Sequence, residues 1–180
     1  AGARGGGGTV SVPAMREGQA FFTAAGVTPL YYVDQPVLDS DEAVAIFRQF
    51  VADGVADFGI HLHPWVTPPF DEEVNRHNSY AGNLPEAVER AKLRHVRATM
   101  INRLGIRPLT YRAGRYGIGP NSLRILAEEG FRWDSSVRSL YDYRSDGGPD
   151  FRWNSHHPQR TGPDNSLVEI PLTSVFLGRA

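Results

Sequence analysis

The sequence predicts an α/β fold, a parallel sheet or barrel with helices outside it, on three observations. Short strand-like segments alternate with helical ones along the chain. Three joints, "AAGVTPLYYVD", "RLGIRPLTYRA" and "EEGFRWDSSV", pass from a helix-ending glycine into a strand, as repeated helix-to-strand connections do. The length, 180 residues, suits one domain with a sizeable core and is short for two.

Each element has a local reason. The opening "AGARGGGG" lacks the Lys-Ser/Thr ending of a phosphate loop, so residues 1–9 are expected to be a disordered glycine-rich end and 10–180 the domain. "SVPAMREGQAFFTAAG" offers Ser11 as a cap, Pro13 in the first turn and Gly26 as a stop, which predicts a helix. "PLYYVD" is a strand. "DSDEAVAIFRQFVADG" starts at Asp39 or Ser40, puts Ala43, Ile46, Phe47, Phe50 and Val51 on one stripe and stops at Gly54. In "DFGIHLH", Phe58, Ile60 and Leu62 alternate with Gly59, His61 and His63, the period of a strand. Asn83 is placed to cap the longest helix, whose Leu93, Val96, Met100 and Leu104 recur at helical spacing before Gly105. "RPLTYRAGRYG" then gives a strand and glycine-marked turn, "PNSLRILAEEG" a short helix, "FRWDSSV" a strand, residues 141–165 a long elaborated loop, and "LVEIPLTSV" a last strand.

Composition excludes several functions. Lys and Arg number 19 against 20 Asp and Glu, so no excess of positive charge draws the chain to nucleic acid or an anionic membrane. No apolar run approaches a membrane span, and without a secretion signal in the chain as given the default location is cytoplasmic. With no cysteine, any metal must sit on nitrogen and oxygen ligands.

In parallel α/β folds ligand chemistry gathers at the carboxyl ends of strands. Here those ends are polar: Asp34, then His61 and His63, then Arg112, Arg115 and Tyr116, then Asp134, Ser135 and Ser136. His61 and His63 are two residues apart on a strand, so their rings share a face and can converge on one ion. The alternative is a hydrogen-bonded structural histidine. Arg112 would orient a carboxylate or substrate oxygen, or else pair with a surface carboxylate. Trp65 and Phe70, among three prolines, make a wall for a sugar ring or simply stiffen a loop. Asp34 and Asp134 could do no more than bond local amides. His77, His95, His156 and His157 read as solvated polar residues.

In that order and separated by helices, "DFGIHLHPW", "TYRAGRYG", "GFRWDSSV" and "EIPLT" resemble the polysaccharide deacetylase (NodB-homology) family of carbohydrate esterases, in a branch with His-x-His-Pro-Trp. The resemblance covers about Val10 to Phe176. It implies a distorted (β/α) barrel of about seven strands, a divalent metal, usually zinc, and removal of N- or O-acetyl groups from an acetylated sugar or polysaccharide. His61 matches the family's first metal-binding histidine; the second would fall at position 65, which is Trp65, so His63 is expected to replace it. Arg112 matches the arginine that steadies the catalytic aspartate, Tyr116 the residue whose amide helps hold the oxyanion, and Asp134 lies near the motif that supports the acid. Trp65, Arg115 and Asp34 are expected on the substrate side.

Two family features have no counterpart here: the first-motif aspartates on a strand before the first helix, and the late Leu-x-His segment. The expectation is therefore an incomplete barrel lacking its first strand, a segment of a longer deacetylase that is inactive or nearly so alone. The rival readings are a carbohydrate-binding pseudoenzyme of the same fold, and a His-x-His phosphoesterase or amidohydrolase.

Overall fold

In the computed structural model, residues 11–175 are described. The glycine-rich stretch 1–9 lies outside them. Helix α1 (Met15–Ala24) follows a short 3-10 turn, and strand β1 (Leu30–Val33) leads into a five-residue helix, α2 (Gln35–Asp39), which the sequence reading did not separate from its surroundings. Its start is set by Asp34, whose carboxylate accepts the Val37 amide. Helix α3 (Asp41–Asp53) begins at Ser40, whose hydroxyl accepts the Ala43 amide, and stops at Gly54 in the left-handed region.

Strand β2 (Asp57–Leu62) precedes an irregular loop and helix α4 (Glu86–Leu104). Asn83 does not cap α4: the cap position is Pro85, and the Asn83 amide donates to the carbonyls of His77 and Gly147, tying two loops together. Strand β3 (Thr110–Ala113), helix α5 (Ser122–Glu128) and strand β4 (Trp133–Asp134) complete the alternation. Within the long loop the chain adds strand β5 (Gln159–Thr161), absent from the sequence reading, before β6 (Leu167–Glu169).

The strands form one sheet in the order β1-β2-β3-β4-β6-β5, parallel except where β5 runs against β6. β1 and β5 form its two edges among the described residues, so the sheet is unclosed: an incomplete barrel. One sheet face carries Val33, Ile60, Leu62 and Tyr111 into a core with Phe47, Phe50, Val96 and Met100 from α3 and α4. The apolar stripes of both helices are buried as their spacing requires. The opposite face carries Tyr32, His61 and Arg112, the polar side chains of the first three strands.

Candidate active site

The polar face is built in layers by strand register. Gly59 lies opposite Tyr32, and any side chain there would strike the Tyr32 ring and the Thr110 hydroxyl. One step toward the carboxyl ends, His61 is the register partner of Arg112. One step further, His63 packs on Gly114, where an added Cβ would meet the His63 ring and the Leu62 carbonyl.

The two imidazoles meet edge to face, ring centroids 4.5 Å apart, and the Trp65 ring lies 4.6 Å beyond His63. Nδ1 of His61 is 2.9 Å from the Arg112 carbonyl oxygen. A carbonyl only accepts, so Nδ1 carries the hydrogen and Nε2 keeps its lone pair, the arrangement that orients a metal-binding histidine. Nδ1 of His63 is buried with no hydrogen-bond partner among the described residues. Both rings are neutral near pH 7. Burial is the main cause at each: at His61 the Arg112 carbonyl and Asp34 partly offset it, whereas at His63 the charges of His61 and Arg115 reinforce it, bringing the group down to about 4.

Asp34 caps α2 and faces His61; burial raises its pKa, offset by the Val37 amide and by His61. Arg112 extends along the same face, its Nε and Nη2 donating to the carbonyl and hydroxyl of Ser135 at 3.0 and 2.7 Å, its guanidinium 4.3 Å over the Tyr32 ring. The structure thus brings Asp34, His61, His63, Trp65 and Arg112 to one face.

The other predicted residues go elsewhere. The Arg115 side chain leaves for Ser79, Tyr80 and Asp146; the Tyr116 ring stacks on Tyr143, while the group expected to act there, its backbone amide, stays in the turn after β3. Both have positive φ, 56° and 58°, so consecutive left-handed residues make the turn after β3, a strained backbone held by the Arg115 contacts. Asp134 is the register partner of Tyr111 and Glu169, which puts it on the opposite sheet face from Arg112, fully buried.

Two contributors, Lys92 and Glu169, escaped the sequence reading, and a third, Ser135, was seen there only as a polar strand-end residue. Lys92, fully buried on α4, donates to the carbonyls of Pro64, Thr67 and Pro69 and pairs with Glu72 at 2.9 Å, so it holds the loop that carries Trp65. Ser135 holds Arg112. Glu169 pairs with Asp134 across β4 and β6. A hollow of about 670 Å³, lined by Leu30, Asp57, Arg107, Thr110 and Trp133 among others, opens at the amino ends of the strands, away from the histidines.

Of the features a divalent-metal site would use, the pair has a carbonyl-fixed tautomer at His61 and a buried, unpartnered nitrogen at His63, the atom that lies over Gly114. That is two nitrogen donors, not three. No group of three or more His, Cys, Asp or Glu side chains is gathered for a metal among the described residues.

Comparison with solved structures finds a protein from Mycobacterium smegmatis assigned to the polysaccharide deacetylases, at TM-score 0.62 and 23% identity over 91% of this chain. The fold is that of the polysaccharide deacetylases. Puue allantoinase is also similar, at TM-score 0.56 and 20% identity over 89% of this chain. So is a protein from Bordetella bronchiseptica assigned as a polysaccharide deacetylase of O-antigen biosynthesis, at 0.51 and 12% over 87%. The chain spans about half the length of these structures, 46%, 43% and 50% respectively. No protein-family model and no curated protein matches the sequence. No helix among the described residues is long and apolar enough to cross a membrane.

Proposed function

We propose that this chain carries part of the site of a metal-dependent deacetylase that removes N- or O-acetyl groups from a sugar or polysaccharide. The observation that carries the reading is the His61–His63 pair on a deacetylase-type sheet, with an unpartnered nitrogen on one ring and a carbonyl-fixed tautomer on the other. His63 stands in for the ligand that Trp65 displaces from the family pattern. A divalent metal held there, most plainly zinc, would supply Lewis acidity toward an acyl carbonyl.

The chain's own residues do the rest. Trp65 offers its ring beside His63 for stacking against a sugar. Arg112, fixed by Ser135, presents positive charge next to the histidines for an oxygen of the substrate or a carboxylate. Asp34 faces His61 and can balance charge there. The remaining metal ligand and the acid–base groups come, on this reading, from outside the described residues, and the chain alone turns over little. An unpartnered, buried imidazole nitrogen lends no support to a metal-independent sugar-binding role.

Calorimetric zinc titration tests the proposal. One zinc should bind, and His61→Ala and His63→Ala should each weaken binding at least tenfold with the circular dichroism unchanged. Wild-type affinity retained in either variant, or efficient acetate release by the chain without metal, would overturn it.

A further inference from the structure

The site described above leaves unused two carboxyl groups buried beside each other. Asp134 and Glu169 are register partners on β4 and β6, 0% and 2% exposed. One oxygen of each is engaged: Asp134 Oδ1 accepts the Ser136 hydroxyl, and Glu169 Oε1 accepts the Val137 amide at 3.1 Å. The other two, Asp134 Oδ2 and Glu169 Oε2, are buried without a hydrogen-bond partner among the described residues. Two buried carboxylates in contact repel, and two unpartnered oxygens each cost desolvation. A single proton between them removes both penalties. It also leaves one negative charge on the pair, which the nearby Arg112 guanidinium balances.

The groups facing the pair agree with this count. Arg112 and Tyr111 approach from β3 and Tyr32 from β1, and the positive charge of Arg112 acts on Glu169. Burial first, then the Asp134 charge, pushes Glu169 up to about 10, and burial raises Asp134 as well.

What the pair holds is the crossing after β4. The Ser136 hydroxyl, bound to Asp134, accepts the Ala113 amide at 2.9 Å, and the Val137 amide hangs on Glu169. Ser135 sits between these tethers with its side chain toward the polar face, and its carbonyl and hydroxyl are the groups that hold Arg112. We propose that Asp134 and Glu169 share one proton and act together as positioning residues for Arg112, through the Ser135–Val137 crossing. The role of Arg112 in acyl chemistry rests on the deacetylase reading. Its placement by the carboxyl pair does not.

The test uses the chain without metal or substrate, so its failure and the failure of the deacetylase reading are separable. Infrared difference spectra at pH 7 between wild type and Glu169→Gln should show loss of one carboxylic-acid carbonyl band. In proton–nitrogen NMR at the same pH, hydrogen exchange at Arg112 Nε–H should be unchanged in Glu169→Gln, whose amide can donate to Asp134. Exchange should rise roughly ten- to a hundredfold in Glu169→Ala, as expected when a charge-assisted hydrogen bond is freed. Should Glu169→Ala fail to fold, Ser136→Ala cuts the Asp134 tether and leaves both carboxyls in place; it should speed the exchange by a smaller factor. No acid band lost in Glu169→Gln, or unaltered Arg112 exchange in whichever of the alanine variants folds, would overturn the proposal.

Discussion

At the scale of single residues, the site depends on who can come close to whom. Gly114 is the floor under His63: its missing side chain is the space the imidazole fills. Gly114→Ala should therefore push His63 off its line with His61 and lower zinc affinity roughly ten- to a hundredfold, the loss seen when the support of a metal-binding histidine is disturbed. Calorimetry reads the affinity, and circular dichroism should show the fold retained. Asp34 has two tasks, capping α2 and facing His61, and two substitutions separate them. Asparagine caps nearly as well as aspartate, so Asp34→Asn should leave chemical-denaturation stability nearly unchanged while Asp34→Ala costs about 0.5–1 kcal/mol. If zinc affinity falls equally in both, it is the charge at Asp34 that serves the metal. Equal loss of stability in both would refute the capping role.

At the scale of elements, helix α4 is both scaffold and clamp. Its residues Glu89, Lys92, Leu93, Val96 and Met100 share one face, and that whole face is buried, charges included. Lys92 fixes the loop after His63 through three carbonyls and Glu72. Lys92→Met keeps the bulk but strands Glu72, so it should lower the free energy of unfolding by about 3–5 kcal/mol. The double variant Lys92→Met, Glu72→Gln should recover part of that loss, because the uncompensated charge is gone; urea denaturation of the four forms gives the coupling. The same helix shows why only part of the molecule was legible in the sequence. Apolar periodicity located α3, α4 and β2 and put His61 and His63 on one face, because those positions repeat at the period of their element, and Arg112 was found by its place at a strand end. Glu89 and Lys92 obey the same spacing, yet their polar type disguised them as surface. Glu169 follows Leu167 at strand period and was disguised likewise. α2 and β5 are too short to show any period. Asn83 looked like a cap because capping residues also suit loop-to-loop bonds, and only the tertiary structure brings Gly147 to it.

At the scale of the whole molecule, these buried carboxyls set how stability responds to pH. Carboxylates held low by arginines, such as Glu86, Asp142 and Asp150, lie at the surface where solvent screens them, though Glu129, enclosed among Arg90, Arg94 and Arg97, is also held low. Those held high are enclosed: Glu89, Asp134 and Glu169. Between about pH 4.5 and 7 Glu89 and the Asp134–Glu169 pair hold protons that the unfolded chain has lost, while buried His61 and His63 lack protons that it still carries below about 6.5, so the two sets oppose each other and the pH response is read one group at a time. Glu89 allows a clean measurement. Burial lifts it from 4.5 to about 7, opposed by the Ser122 hydroxyl that donates to its Oε1, with Glu86 adding to the rise and Arg90 opposing it. Its stabilising share is complete below pH 4.5, where both states are protonated, and drains away as pH climbs to about 7. The displacement corresponds to about 3 kcal/mol. Glu89→Gln does not titrate, and its carbonyl can still accept from Ser122. Its stability relative to wild type should thus be about 3 kcal/mol more favourable at pH 8 than at pH 4.5, whatever constant offset the amide brings. Urea unfolding at both pH values reads the difference directly, and because Glu169 titrates alike in both proteins its contribution cancels. A gap that does not change between the two pH values would mean that Glu89 ionises in the folded chain as it does in the unfolded one, with Ser122 and Arg90 offsetting the full cost of its burial.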